Sequence, residues 1–254
     1  MSDESWDFTS FDGVGLKIHE LGTGRPVILL HGLFSNAETN WIKFGHARKL
    51  ASSGFRVIMP DLRAHGESDA PHDPEAYPHD VLVQDTLALI AHLGLEDYDL
   101  GGFSLGARTT AKLLVEGASP RKAILAGMGL EGLAGWERRQ DFFLEAIATK
   151  DTARRGDPHW LAIQFMKSQK IDTVAAAHLL RTFSDLDADQ LAGIETPVQI
   201  LCGTEDRDNG DPEKLADLLP NGIRTDIPGT HMSSVTKAEL GEEMAAFLTS
   251  KNNL

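Results

Sequence analysis

Tyr98-Asp99-Leu100-Gly101-Gly102-Phe103-Ser104-Leu105-Gly106-Ala107-Arg108 is the stretch from which the rest of this chain can be read. A short apolar run ends in Gly102-x-Ser104-x-Gly106, and helix-favouring residues follow. The pattern predicts a strand, a sharp turn and the start of a helix. In such an elbow the serine is held in a strained conformation, with its hydroxyl pushed out at the sheet's edge. The residues two before and two after must be small, because side chains there would collide; Gly102 and Gly106 meet that need. A helix starting at Leu105 sets free backbone N–H groups and the positive end of its dipole beside the hydroxyl. Such a turn can hold a nucleophile and stabilise an anion. A glycine-rich turn without chemistry satisfies the same five-residue pattern, so the context decides.

Outward from the elbow, the chain alternates buried strands with helices. Pro26-Val27-Ile28-Leu29-Leu30 and Phe55-Arg56-Val57-Ile58-Met59-Pro60 lie upstream, and Lys122-Ala123-Ile124-Leu125-Ala126 downstream. These are apolar runs of the kind expected of strands covered on both faces. Helical spacing spans residues 40–52, closed by Gly54, and the apolar positions Val81, Leu82, Leu87, Ile90 and Leu93, closed by Gly94. The elbow helix ends near Gly117. Strand–helix–strand order implies a parallel sheet with right-handed crossovers. Ahead of it, residues 6–11 and 15–21 read as an antiparallel pair around Asp12-Gly13. The rhythm breaks after Gly129. Residues 131–192 carry Trp136, Phe142, Phe143, Ile147, Trp160, Phe165, Met166 and Leu179 at mostly helical spacings, with no strand-like run. The pattern predicts an insertion of three or four short helices that leaves the sheet, covers something and returns. The alternation resumes at Pro197-Val198-Gln199-Ile200-Leu201-Cys202-Gly203. A helix over 211–219, a strand over 223–227 and a helix over 236–249 follow. The expected architecture is one domain. Residues 1–130 and 193–254 form a mostly parallel eight-stranded α/β core, and 131–192 a small helical cap.

Composition narrows the partners. The chain has 254 residues, 41% of them hydrophobic, which is ample for a buried core, and a net charge of −14. An acidic surface repels phosphate backbones and anionic lipid, so neither nucleic acid nor membrane is expected as a partner. A small molecule is expected instead, bound by a monomer or homodimer. The single cysteine, Cys202, sits in an apolar run and reads as a small buried hydrophobe. The N-terminal Met1-Ser2-Asp3-Glu4-Ser5 lacks the basic-then-apolar form of a secretory signal, and a cytoplasmic location is the expectation.

Further signals stand at predicted strand ends, where open α/β sheets place their sites. They are His31-Gly32, Gly203-Thr204-Glu205-Asp206 and Gly229-Thr230-His231. A serine hydroxyl needs an adjacent base to attack, an imidazole is the natural base, and a carboxylate fixes its tautomer. The order Ser104, Asp206, His231 is that of the α/β-hydrolase triad, and differs from those of chymotrypsin and subtilisin. Glu205, Asp208 and Asp211 crowd the acid position, and Glu131 is a more distant alternative. No His-Glu-x-x-His or paired-cysteine spacing is present, so no metal is expected. The Gly-rich segments match neither a P-loop nor a dinucleotide fingerprint, so no organic cofactor is expected.

Over nearly its whole length the chain resembles the α/β-hydrolase fold superfamily. Val27-Ile28-Leu29-Leu30-His31-Gly32-Leu33-Phe34-Ser35-Asn36 and Asp61-Leu62-Arg63-Ala64-His65-Gly66-Glu67-Ser68 are similar to small bacterial serine carboxylesterases. The resemblance implies hydrolysis of a small ester, lactone or thioester through an acyl-enzyme. Ser104 would be the nucleophile, His231 the general base and then acid, and Asp206 the orienting acid. The backbone N–H groups of Leu33 and Leu105 would form the oxyanion hole. His31, Asp61, Arg63 and His65 are expected to brace loops. Two positions depart from many relatives: Phe103 replaces a histidine before the nucleophile, and Thr230 a glycine before the last histidine. Asp in place of Ser104 would instead fit dehalogenation or epoxide opening. The same triad also serves carbon–carbon bond hydrolysis and perhydrolysis, and the scaffold occurs in non-catalytic signalling proteins that bind small molecules. Phe34, Phe103 and Trp136 are expected against the substrate, in an apolar pocket suited to short acyl groups or compact aromatic esters. Arg138, Arg139, Arg154 and Arg155 read as solvated helix faces; one facing inward would admit an anionic acyl chain or a CoA ester.

Overall fold

Eight strands form one sheet in the computed structural model, which describes residues 4–251. The first three residues of the acidic N-terminal stretch lie outside the described residues. The strands are β1 (Glu4–Thr9), β2 (Gly15–Leu21), β3 (Arg25–Leu30), β4 (Phe55–Pro60), β5 (Asp99–Phe103), β6 (Ala123–Ala126), β7 (Val198–Gly203) and β8 (Gly222–Ile227). Their order is β1-β2-β4-β3-β5-β6-β7-β8. Only β2 runs against its neighbours, β1 and β4; the other pairs are parallel. Strands β5, β6 and β7 are buried along their whole length, which is why they read as continuous runs rather than alternations.

Helices cover both faces. Successive side chains of a strand point to opposite sides. Thus Val27 and Leu29 of β3 pack with α1 (His46–Ser52) and α11 (Ala238–Thr249), while Ile28 and Leu30 face α2 (Val81–His92) and α3 (Leu105–Val115). Helix α9 (Pro212–Leu218) joins α3 over β6 and β7. The short α10 (His231–Ser234) follows β8. Among the described residues no helix is long and apolar enough to cross a membrane.

Between β6 and β7 the chain forms five helices: α4 (Leu130–Leu133), α5 (Trp136–Ala148), α6 (Trp160–Ser168), α7 (Thr173–Leu179) and α8 (Ala188–Ala192). They have a small core of their own, with Trp136, Ala146, Ile163, Met166, Ala176 and Leu180 gathered round Phe34 from the loop after β3. One side chain fastens the segment's two ends. Arg108 of α3 donates to the carbonyls of Gly132 and Leu133 on the way in, and to Ser184 O and the Asp185 carboxylate on the way out. Its guanidinium also lies 5.2 Å from the Trp136 ring.

Three boundaries differ from the sequence reading. The helix expected over 40–52 is broken by Gly45 at φ 84°, leaving a π-helical turn at Glu38–Ile42 ahead of α1. Strand β1 ends at Thr9, because Ser10 turns inward to hydrogen-bond Asp85 and Phe11 is left exposed in the turn. The last helix starts at Ala238, after α10 has ended separately.

Candidate active site

Strand β5 ends at Phe103 and α3 begins at Leu105, so Ser104 alone makes the turn, at φ 53° and ψ −110°. Its N–H donates to Ala126 O on the neighbouring strand, and its carbonyl accepts the first helical bond from Arg108. These bonds hold a conformation that L-residues seldom adopt. The glycines on either side are steric necessities. A Cβ on Gly102 would stand 2.2 Å from the Gly106 carbonyl carbon, and one on Gly106 would stand 2.0 Å from Leu30 O.

The chain's other ends of parallel strands bring two partners to this serine. His231 opens α10, fixed by a capping box between Thr230 and Ser233. Its Nε2 lies 3.0 Å from Ser104 Oγ, and its Nδ1 lies 2.8 Å from Asp206 Oδ2. Asp206 stands on the loop after β7, and its Oδ1 accepts the Asp208 N–H. Burial, the largest single influence, would raise the Asp206 carboxyl. The His231 hydrogen bond and charge, the Asp208 N–H and the field of Arg139 together outweigh it, and hold the carboxyl below the usual range. An ionised carboxylate only accepts, so Nδ1 carries the imidazole proton and Nε2 turns a lone pair to the serine. Of the acidic candidates, Asp206 is the one hydrogen-bonded to His231 among the described residues. Asp208 and Glu205 have exposed side chains, and Asp211 caps α9. Glu131 is exposed and engaged by the Asp211 N–H and Lys214. Asp206, Asp208 and His231 each bring a ligand-type atom within 4.8 Å of the others, and His231 Nδ1 is hydrogen-bonded to Asp206.

The loop after β3 is held rigidly beside the elbow. The N–H of Gly32 goes to Asn40 Oδ1, that of Phe34 to His65 Nε2 and that of Ser35 to Gly32 O. The N–H of Leu33 between them has no protein acceptor among the described residues, and Leu105 is the first residue of α3, where N–H groups lack intrahelical partners. His31 and His65 act as neutral braces. Each donates through Nδ1 to a carbonyl, of Gly32 and Arg63, and accepts a backbone N–H at Nε2. Burial pushes His65 down to about 3 and lowers His31 as well. Asp61 accepts the Ala37 and Glu67 N–H groups, and Arg63 is buried between Asp12 and Asp85. Asn40 escaped the sequence reading; its position in a helical run gave no sign of this bond.

The residues expected against the substrate are largely taken up by packing. Phe34 meets Phe143 edge-on at 5.5 Å, and Phe103 lies 5.0 Å from the His231 ring. Trp136 is buried in the insertion, with Nε1 donating to Leu180 O. Cys202 is buried, its thiol pushed up to about 12 by burial first and Asp206 next. Of the four arginines, Arg138, Arg154 and Arg155 are exposed. Arg139 turns inward, donating to Asp208 O at 2.6 Å with its guanidinium 5.7 Å from the Phe143 ring.

Residues 25–165 match the family model described as the alpha/beta hydrolase fold. The AB hydrolase superfamily protein YisY of Bacillus subtilis is 30% identical over 235 residues, covering 83% of this chain and 84% of that protein. The non-heme haloperoxidase of Rhodococcus erythropolis is 30% identical over 282 residues, covering 95% and 98%. Among solved structures, an esterase from Exiguobacterium antarcticum superposes with a TM-score of 0.79 at 21% identity, over 97% of this chain and all of that one. With its fold, the elbow at Ser104 and these similarities, this chain belongs to the alpha/beta hydrolase family.

Proposed function

We propose that this protein is a serine hydrolase that cleaves a small carboxylic ester, lactone or thioester. The observation that carries the reading is the unbroken hydrogen-bonded line from Ser104 Oγ through His231 to Asp206. Ser104 Oγ attacks the carbonyl carbon as His231 Nε2 takes its proton. The carbonyl oxygen, now negative, is met by the N–H groups of Leu33 and Leu105. The alkoxide or thiolate leaves with the proton from His231, and an acyl-Ser104 ester remains. Water then repeats the sequence, releases the acid and restores the serine. Asp206 keeps the imidazole in the working tautomer and steadies the imidazolium. Fixed donors of the oxyanion kind each contribute about 3–4 kcal/mol to transition-state stabilisation.

A fluorophosphonate probe tests the reading. It is expected to label Ser104, with labelling and p-nitrophenyl acetate hydrolysis both lost in Ser104→Ala. A folded protein that neither labels nor turns over any ester would sink the proposal. A second reading, perhydrolysis, rests on the similarity to the Rhodococcus haloperoxidase along almost its full length. There peroxide replaces water in deacylation and a peracid is released. Bromide oxidation in acetate and peroxide, faster than ester hydrolysis, would put that reading first.

A further inference from the structure

Arg139 is a half-buried cation with no carboxylate paired to it among the described residues. A charge partly withdrawn from water gains from a partner of opposite sign. Of its five N–H donors, one has an acceptor among the described residues, Asp208 O. The Asp206 and Asp208 carboxylates act on it only through space, and burial lowers the guanidinium's pKa despite them.

Its position is as telling as its lack of a partner. Phe34 follows Leu33 in the loop that would bind the oxyanion. Phe143 meets Phe34 edge-on at 5.5 Å, the Arg139 guanidinium lies 5.7 Å from Phe143, and Arg139 reaches Asp208, two residues past Asp206. This chain of contacts runs from the loop after β3 to the loop after β7. Strand β5, which delivers Ser104, lies between β3 and β7 in the sheet. Arg139 and Phe143 therefore bridge the two sides of the elbow, and the guanidinium lies near enough to Asp206 and Asp208 to feel both charges. An arginine fork matches a carboxylate in two parallel hydrogen bonds, and aromatic surroundings sharpen the attraction by excluding water.

We propose that Arg139 is a specificity-determining residue, and that the preferred substrate is a small ester carrying a carboxylate of its own. This rests on the ester-hydrolase reading above.

Two ester pairs of matched size test it: 4-nitrophenyl hydrogen adipate against its methyl ester, and 4-acetoxybenzoate against methyl 4-acetoxybenzoate. The first carries the charge on the acyl side and the second on the alcohol side. In at least one pair the wild-type protein is expected to favour the anion at least tenfold in kcat/KM. That preference should fall at least tenfold in Arg139→Gln, survive in Arg139→Lys, and be untouched in Arg138→Gln. If Arg139 merely held the Asp208 loop, Arg139→Gln would slow charged and neutral esters alike and leave the ratio standing, which would overturn the proposal. So would a wild-type protein with no preference in either pair. If none of the four esters is cleaved, calorimetric titration of Ser104→Ala with monomethyl adipate separates the two readings. Binding at least tenfold tighter than in Ser104→Ala/Arg139→Gln would keep the anion subsite while the ester reading falls; no such difference would remove both.

Discussion

The two oxygens of Asp206 have different partners, and different substitutions separate their roles. Oδ2 accepts from His231 and Oδ1 from the Asp208 N–H. Asp206→Asn keeps the shape but loses the charge that fixes the tautomer and steadies the imidazolium. Its kcat on a p-nitrophenyl ester is expected to drop about ten-thousand-fold with KM little changed. Asp208→Asn, which keeps the backbone N–H, should stay within about threefold, since only side-chain charge is altered. A severe loss in Asp208→Asn with a nearly normal Asp206→Asn would move the role along the loop. The residues of this line were legible because each stands just past the end of a strand, and a parallel sheet gathers those ends. Asn40 and the bond from Phe34 to His65 were not, because they depend on a loop bent at Phe34 through φ 59°. Arg138 and Arg139 read alike in sequence. They differ only in the direction each leaves α5, and neighbouring helical positions point about 100° apart.

Helix α3 presents Ser104 at its start and, one turn on, Arg108 toward the insertion. Replacing Arg108 with Met would take the side-chain donor from the carbonyls of Gly132 and Ser184, while Leu133 O keeps the Leu186 N–H, and a buried carbonyl left bare costs about 1–3 kcal/mol. We expect Arg108→Met to lower stability by about 2–5 kcal/mol in urea titration. Proteases should then cut first within residues 133–186 rather than in the sheet. Uniform loss of protection across the chain would show that Arg108 supports the whole fold and not this junction. Strand runs and the elbow helix were legible as elements because burial on both faces and helical spacing leave strong patterns. Two of the three boundaries that differ show what was not. The pattern over 40–52 keeps helical spacing through Gly45, whose left-handed backbone breaks it. The strand expected to run to residue 11 stops when Ser10 finds a partner in Asp85, a long-range contact invisible locally.

Across the molecule, neutral histidines inside the fold link its stability to pH. His65 titrates near 6.5 in an unfolded chain and at about 3 here, because burial disfavours its charged form. Between those values the unfolded chain holds a proton that His65 does not, so stability is full above about 6.5 and falls as pH falls toward 3. The slope is about 1.4 kcal/mol per pH unit for each such histidine. His31 and His46 act in the same direction, and His19, raised first of all by its Asp61 hydrogen bond, acts in the opposite one. Urea midpoints across this range should show the slope reduced by about 1.4 kcal/mol per pH unit in His65→Gln, which can keep both bonds without a proton to gain. An unchanged slope would mean His65 charges without cost. The mostly parallel eight-stranded sheet and its flanking helices followed from the strand–helix rhythm, whereas the order of the strands and the insertion's internal packing did not, since both are set by contacts distant in sequence. Its attachment has a consequence for ancestry. Arg108 grips the segment almost entirely through main-chain carbonyls, which every sequence possesses, and the grip lies at the segment's two ends. The interior could thus be rewritten, lengthened or exchanged by recombination near residues 133 and 185 without disturbing Ser104, Asp206 or His231, so that new specificities arise by trading cassettes while the chemistry is inherited whole.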